Sequence, residues 1–138
     1  MKIEIRELRK GNIFQYRNNV KVNGKNHTQA FVFDRLYDND AIIATQYKGT
    51  AGLFAGSENG HESLFPIPFT TEWAERFNLI GSVINGFCIA PSEHKGHDYD
   101  LCLYDEHTWD SERTILCPIN SVHHCQNLFL DLANHILE

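Results

Sequence analysis

The pattern of apolar and polar residues changes character twice along the chain. Over residues 3–47 it alternates at short range: Ile3 and Ile5, then Ile13, Phe14 and Tyr16, then Phe31, Val32 and Phe33, then AIIATQY at 41–47. Runs this short, rich in β-branched and aromatic residues, predict three or four antiparallel strands. They are separated by Gly11-Asn12, Asn18-Asn19 or Asn23-Gly24, and Asp38-Asn39-Asp40, which are turn sequences. The result is a small curled sheet or barrel. Residues 64–69, LFPIPF, must be extended, and Pro66 and Pro68 keep this segment out of a central strand because they cannot donate to a ladder. A short helix is predicted over 70–77. Thr70 is its N-cap, Glu72 lies where the helix dipole favours an anion, Trp73 and Phe77 face the core, and Asn78 is a left-handed stop.

From Ser82 onward the pattern predicts a β-meander of three strands, at 83–90, 99–104 and 113–119. Tyr99, Leu101 and Leu103 share one face of the second, while Ile115, Cys117 and Ile119 point inward on the third. The period then switches to that of a helix over 121–138. At about 100° per residue, Val122, Cys125, Leu128, Phe129, Leu130, Leu132, Ala133, Ile136 and Leu137 fall on one broad face. His123, His124, Asn127, Asp131, Asn134 and His135 take the other. Gln126 projects into the apolar face, where an amide without partners costs about 1–3 kcal/mol. It is therefore expected to bond the backbone of another element.

These elements add up to an α+β fold: an N-terminal antiparallel β unit, a short helix, and a three-stranded meander with the C-terminal helix packed on it. A chain of 138 residues can bury one full core and is short for two ordinary domains. The expectation is one domain over 1–138, with a β-rich half at 1–69 and the helix, meander and helix at 70–138.

Charge narrows the function classes. With 18 acidic against 12 basic residues the net charge is -6, and the densest basic cluster, Arg6, Arg9 and Lys10, is interrupted by Glu7. A nucleic-acid partner is therefore not expected, because a phosphate-backbone footprint needs gathered Lys and Arg. No run of 18 apolar residues could span a bilayer, and the opening MKIEIR lacks the apolar stretch of a signal peptide. The expected location is the cytoplasm, without membrane contact. Cys88, Cys102, Cys117 and Cys125 form no CxxC pair and read as free thiols serving as small hydrophobes.

Candidate chemistry is sparse. Residues 48–61, KGTAGLFAGSENGH, could present backbone N–H groups to a phosphate, but they lack the Gly-Lys-Ser/Thr ending of a P-loop. They read as a surface loop whose Leu53 and Phe54 are candidate partner anchors. Trp109, ringed by acids in DEHTWDSE, is a second candidate anchor, since aromatics dominate interface hot spots. At the start of the last helix, His123 and Asn127 are candidate readers of a polar partner. The meander would bring His94 and His97 toward His123 or His124, the one arrangement that could hold a transition metal. The bland reading, solvated loop histidines, needs no metal, and no cofactor is called for. Asp98 with Asp100 reads as a solvated turn. Cys125 and His124, adjacent on a helix, point about 100° apart and cannot act as a nucleophile and its base.

Three fragments occur in order: Leu8-Arg9-x-Gly11-Asn12, Pro66-Ile67-Pro68-Phe69-Thr70-x-x-Trp73, and Val122-His123-x-x-Gln126-Asn127-Leu128-Phe129. Together they resemble a family of short uncharacterised proteins of Bacteroidetes genomes and their phages and mobile elements. The chain departs from that pattern at Cys125, where leucine is usual, and in a tail without the usual glycine stop. The resemblance implies an accessory role in a bacterium or its phage and brings no catalytic residue with it. The functional expectation is a non-enzymatic binding protein that modulates a host protein. The alternatives are a nucleic-acid-associated regulator using Arg6, Arg9, Lys10, Arg17 and Lys21 and, third, a small metal- or ligand-dependent enzyme.

Overall fold

The computed structural model describes residues 3–22, 25–55, 64–93, 95–104 and 114–138, with backbone alone at 18–22, 25–28 and 39. The fold is α+β, and the chain divides into two units, Met1–Ile67 and Pro68–Glu138.

The first unit is an antiparallel sheet of five strands: β1 (Ile13–Val22), β2 (Lys25–Tyr37), β3 (Ala41–Gln46), β4 (Gly52–Ala55) and β5 (Leu64–Phe65), in the order β4-β3-β2-β1-β5. It remains an open sheet rather than a barrel. β1 continues through Asn18-Asn19, with a register shift between Arg17 and Lys21, and Val22 pairs with Lys25, so the hairpin connection is the Asn23-Gly24 pair, which lies outside the described residues. The chain enters β1 through a corner built by its own sequence. Gly11 adopts φ +93°, the buried Asn12 accepts the Arg9 N–H on Oδ1 at 2.8 Å, and the Asn12 N–H returns to the Arg9 carbonyl at 2.9 Å. Phe33 clamps this corner from β2, donating to the Asn12 carbonyl and accepting from the Gly11 N–H, both at 2.8 Å. An asparagine side chain that substitutes for a backbone turn partner is the physical content of the first fragment.

The core of this unit lies on one face, where Phe14, Phe31, Phe33, Ile42, Ala44 and Leu64 pack with Ile3 and Leu8. Each large side chain buried there contributes about 2–3 kcal/mol of apolar transfer energy. The register of β2 on β3 slips at Asp34, between Phe33 and Arg35. A bulge of this kind bends a strand and re-aims its side chains, and past this one Arg35, Leu36 and Tyr37 are exposed. Proline places β5 as anticipated: it is a two-residue edge strand, and Gln15 Nε2 secures the segment after it by donating to the Pro66 carbonyl at 2.9 Å. Residues 52–55, read as part of a glycine-rich loop, are instead strand β4, because Leu53 and Ala55 alternate inward against Ala44 and Ile42.

The second unit contains α1 (Thr71–Arg76), β6 (Phe87–Pro91), β7 (Tyr99–Leu103), β8 (Thr114–Pro118) and α2 (Val122–Ala133), with a sheet ordered β6-β7-β8. α1 ends where Asn78 takes φ +61°, as its sequence predicts, and the Leu79 N–H closes on the Ala74 carbonyl at 2.9 Å. Its start differs from expectation, since the Thr70 hydroxyl makes no cap bond. Trp73 and Phe77 are buried with ring centroids 5.8 Å apart.

Strand β6 begins at Phe87 and not at 83. Asn85 (φ +48°) and Gly86 (φ +87°) form a two-residue turn, across which Ile84 and Phe87 exchange backbone bonds of 2.8 and 2.9 Å. Two consecutive left-handed residues match the twist of a tight hairpin, which is what Asn-Gly supplies. Between β7 and β8 the register slips at Leu101/Cys102, so Cys102 faces Ile115 and Leu116 is the additional residue. That slip overturns the inward assignment of Ile115, which is exposed.

Helix α2 stops at Ala133 rather than running to Glu138. Asn134 adopts the left-handed conformation (φ 51°, ψ 41°), and the His135 N–H turns back to the Phe129 carbonyl at 3.1 Å. The shortened helix buries Val122, His123, Cys125, Gln126, Phe129 and Ala133, while Leu132 and Ile136 are exposed. The buried face is therefore rotated from the predicted one and includes His123, which periodicity had placed on the polar side.

Candidate functional site

The predicted site residues fall in different places. Phe54 is not at a loop tip but on β4, the outermost strand of the first sheet, where it is 66% exposed. It pairs across the strand with Ile43, and its ring meets Tyr37 edge-on, with centroids 6.4 Å apart. Tyr37 is 55% exposed and Leu36 41%. Phe54 and Tyr37 lie on the face of Ile43 and Ala41, whereas Leu36 pairs with Ile42 and so falls on the other face of the sheet. Among the described residues no strand pairs with the outer edge of β4.

At the N-terminus of α2 the polar groups serve the helix itself. Ser121 Oγ accepts the His124 N–H at 3.2 Å and lies 3.1 Å from His123 Nδ1. The Asn120 N–H donates to His124 Nδ1 at 3.0 Å. Both candidate histidines are thus used, through Nδ1, in satisfying backbone and cap groups that a helix start leaves open. Asn127 is half-buried one turn further on. Gln126, 5% exposed, donates Nε2 to the Leu137 carbonyl at 2.9 Å. The expected backbone partner is there, supplied by the segment after the helix. Asn85 does the same from the β6 turn, donating to the Ala133 carbonyl at 2.6 Å.

The topology does bring the start of β7 beside the end of β8, as the Ile119 N–H to Tyr99 carbonyl bond of 3.0 Å shows. His97 is half-buried in the turn that precedes β7. His94 and Trp109 lie outside the described residues. Among those described, no group of three or more His, Cys, Asp or Glu side chains gathers as a metal site.

One acid departs from its sequence reading. Asp100 is not in a solvated turn but on β7, 1% exposed. The cue available in the sequence is its alternation with Cys102, two residues on, which puts both on one face of a central strand. The Asp100 carboxylate acts on Cys117, whose thiol is pushed up first by burial and then by that charge. Cys125 is pushed up further, by burial and then by Cys117. Thiols held protonated in this way are packing groups and not nucleophiles at neutral pH.

Three of the cations near the chain's start have partners: Arg6 Nε lies 2.7 Å from Glu4, Lys10 lies 3.8 Å from Asp34, and Arg17 stacks 4.2 Å over the Phe65 ring. Among the described residues no helix is long and apolar enough to cross a membrane. Compared with protein-family models, with curated proteins and with solved structures, the chain matches none.

Proposed function

We propose that this chain is a non-catalytic binding module of the cytoplasm that recognises another protein through the β4 edge of its first sheet. The observation that supports this reading is Phe54, two-thirds exposed on an outer strand and met edge-on by Tyr37. Covering a phenylalanine side chain contributes about 1.5–3 kcal/mol. An extended segment added alongside β4 would also satisfy backbone groups that an edge leaves to water. The partner is accordingly a protein with an extended segment that places an apolar residue over the Phe54–Tyr37 pair. In keeping with the sequence resemblance, the proposed role is that of a phage or mobile-element accessory acting on a host protein. The net charge of -6, with few Lys and Arg gathered together, favours this over a nucleic-acid regulator, whose footprint needs clustered cations.

The test is capture from bacterial lysate by tagged wild type and by Phe54→Glu, each with and without nuclease. The expected result is a stoichiometric, nuclease-resistant protein that Phe54→Glu loses while melting like wild type. Retention by Phe54→Glu, or capture that nuclease abolishes, would refute the reading.

A further inference from the structure

Strand β8 is the outer strand of the second sheet, and among the described residues nothing pairs with its free edge. Thr114, Ile115 and Leu116 are all exposed, Ile115 by 56% and Leu116 by 44%. The neighbouring end of β7 exposes Leu103 by 42% and Tyr104 by 38%. Natural edge strands are blunted by charge, by proline or by bulges. Here a bulge and the terminal Pro118 limit the open stretch to residues 114–117, but that stretch carries no charge. No Asp, Glu, Lys or Arg occurs from Thr114 to Leu130, in a chain whose net charge is -6.

We propose that β8 pairs with β8 of a second copy of this chain, antiparallel about a two-fold axis, so that two three-stranded sheets continue into one. Charge decides the occupant. Two copies with the same excess of acid repel each other unless they meet where neither carries charge, and antiparallel pairing of β8 sets the uncharged stretch 114–117 of one copy against that of the other. A basic or acidic foreign partner would find no counter-charge along this edge. The geometry is also self-complementary, since an isologous contact needs the same patch on both sides, and an antiparallel strand pair provides it. The exposed side chains that β8 itself brings to this edge are Thr114, Ile115 and Leu116, so the contact rests on strand pairing and is a small one. The dimer is accordingly weak. It uses a different sheet from the one assigned to a partner protein above and stands independently of that reading.

Sedimentation equilibrium of the full chain from about 1 to 200 µM, in the range where weak contacts of this size assemble, tests the proposal. Wild type is expected to rise with concentration from its 15.9 kDa monomer toward twice that mass. Ile115→Lys and Leu116→Lys each place a like charge from both copies close to the two-fold axis and should weaken the association at least tenfold, while Phe54→Glu leaves it unchanged. Hydrogen exchange on wild type gives a second reading that needs no variant: the amides of β8 should gain protection as concentration rises. A monomeric wild type across the range, a dimer indifferent to both lysines, a dimer lost in Phe54→Glu, or β8 amides whose protection ignores concentration would each overturn the proposal.

Discussion

Replacing Gln126 is the sharpest test of how the second unit holds together. Its side chain is 5% exposed and joins α2 to the Leu137 carbonyl, eleven residues on, across the left-handed turn at Asn134. Gln126→Ala removes a net hydrogen bond of about 1 kcal/mol, and a buried carbonyl left unmatched adds to a total of about 1–3 kcal/mol. The vacated volume adds roughly 1 kcal/mol more, as large-to-small changes in a core do. The expected loss is about 2–4 kcal/mol in all. Gln126→Met keeps the volume and removes only the amide, so it should cost about 1–3 kcal/mol, the hydrogen-bond share alone. Urea unfolding followed by Trp73 fluorescence, in a Trp109→Phe background, reports on the unit that holds both residues. With a urea dependence of about 1–3 kcal/mol per molar, the alanine midpoint should fall by about 1 M or more. An unchanged midpoint for alanine would refute the burial argument. A methionine variant as stable as wild type would show that packing, and not the bond to Leu137, carries the effect.

Two further outcomes concern the same unit. Ser121→Ala should cost about 1 kcal/mol because it removes the acceptor for the His124 N–H, whereas Thr70→Ala, whose hydroxyl caps nothing, should stay within about 0.5 kcal/mol; paired urea midpoints compare them. The Cys125 thiol, raised by burial and then by Cys117, keeps its proton in the folded state at pH values where an unfolded thiol, with its ordinary value of 9.0, has lost it. Its stabilising contribution is therefore whole below pH 9 and declines above it, by up to about 1.4 kcal/mol per pH unit, and Cys125→Ala should flatten that decline in unfolding curves taken at pH 8 to 10.5.

Where the sequence was legible, a side chain announced its own local bond. Asn78 stops α1 as read, the Asp38–Asp40 turn separates β2 from β3, and Gln126 reveals its burial by standing in an apolar face. The errors have physical causes of a different range. Four glycines in 48–61 concealed β4, because propensity is silent about a neighbouring strand that recruits residues 52–55 into a ladder. Apolar periodicity continues through Ile136 and Leu137, so it could not show that Asn134 turns the chain and leaves Ile136 outside. The bulge at Leu101/Cys102 reverses the facing of Ile115, and nothing local marks a one-residue slip. Of the candidate site residues, Phe54 is exposed but stands on a strand rather than in a loop. His123 and His124 were chosen for chemistry but are occupied by the helix cap, a demand visible only once the helix start at Val122 is known.

The sheet order of the first unit also bears on how quickly it can form. β1 to β4 are each paired with their neighbour in the chain, so four strands can zip as successive hairpins whose loops are short and cheap to close. Only β5 must return from far along the chain to lie beside β1, where Gln15 meets Pro66 across a separation of 51 residues. That docking step closes the longest loop in the unit and should set its folding rate. An emerging chain could thus complete the hairpin ladder before residue 64 leaves the ribosome, and seal it with a two-residue strand afterwards.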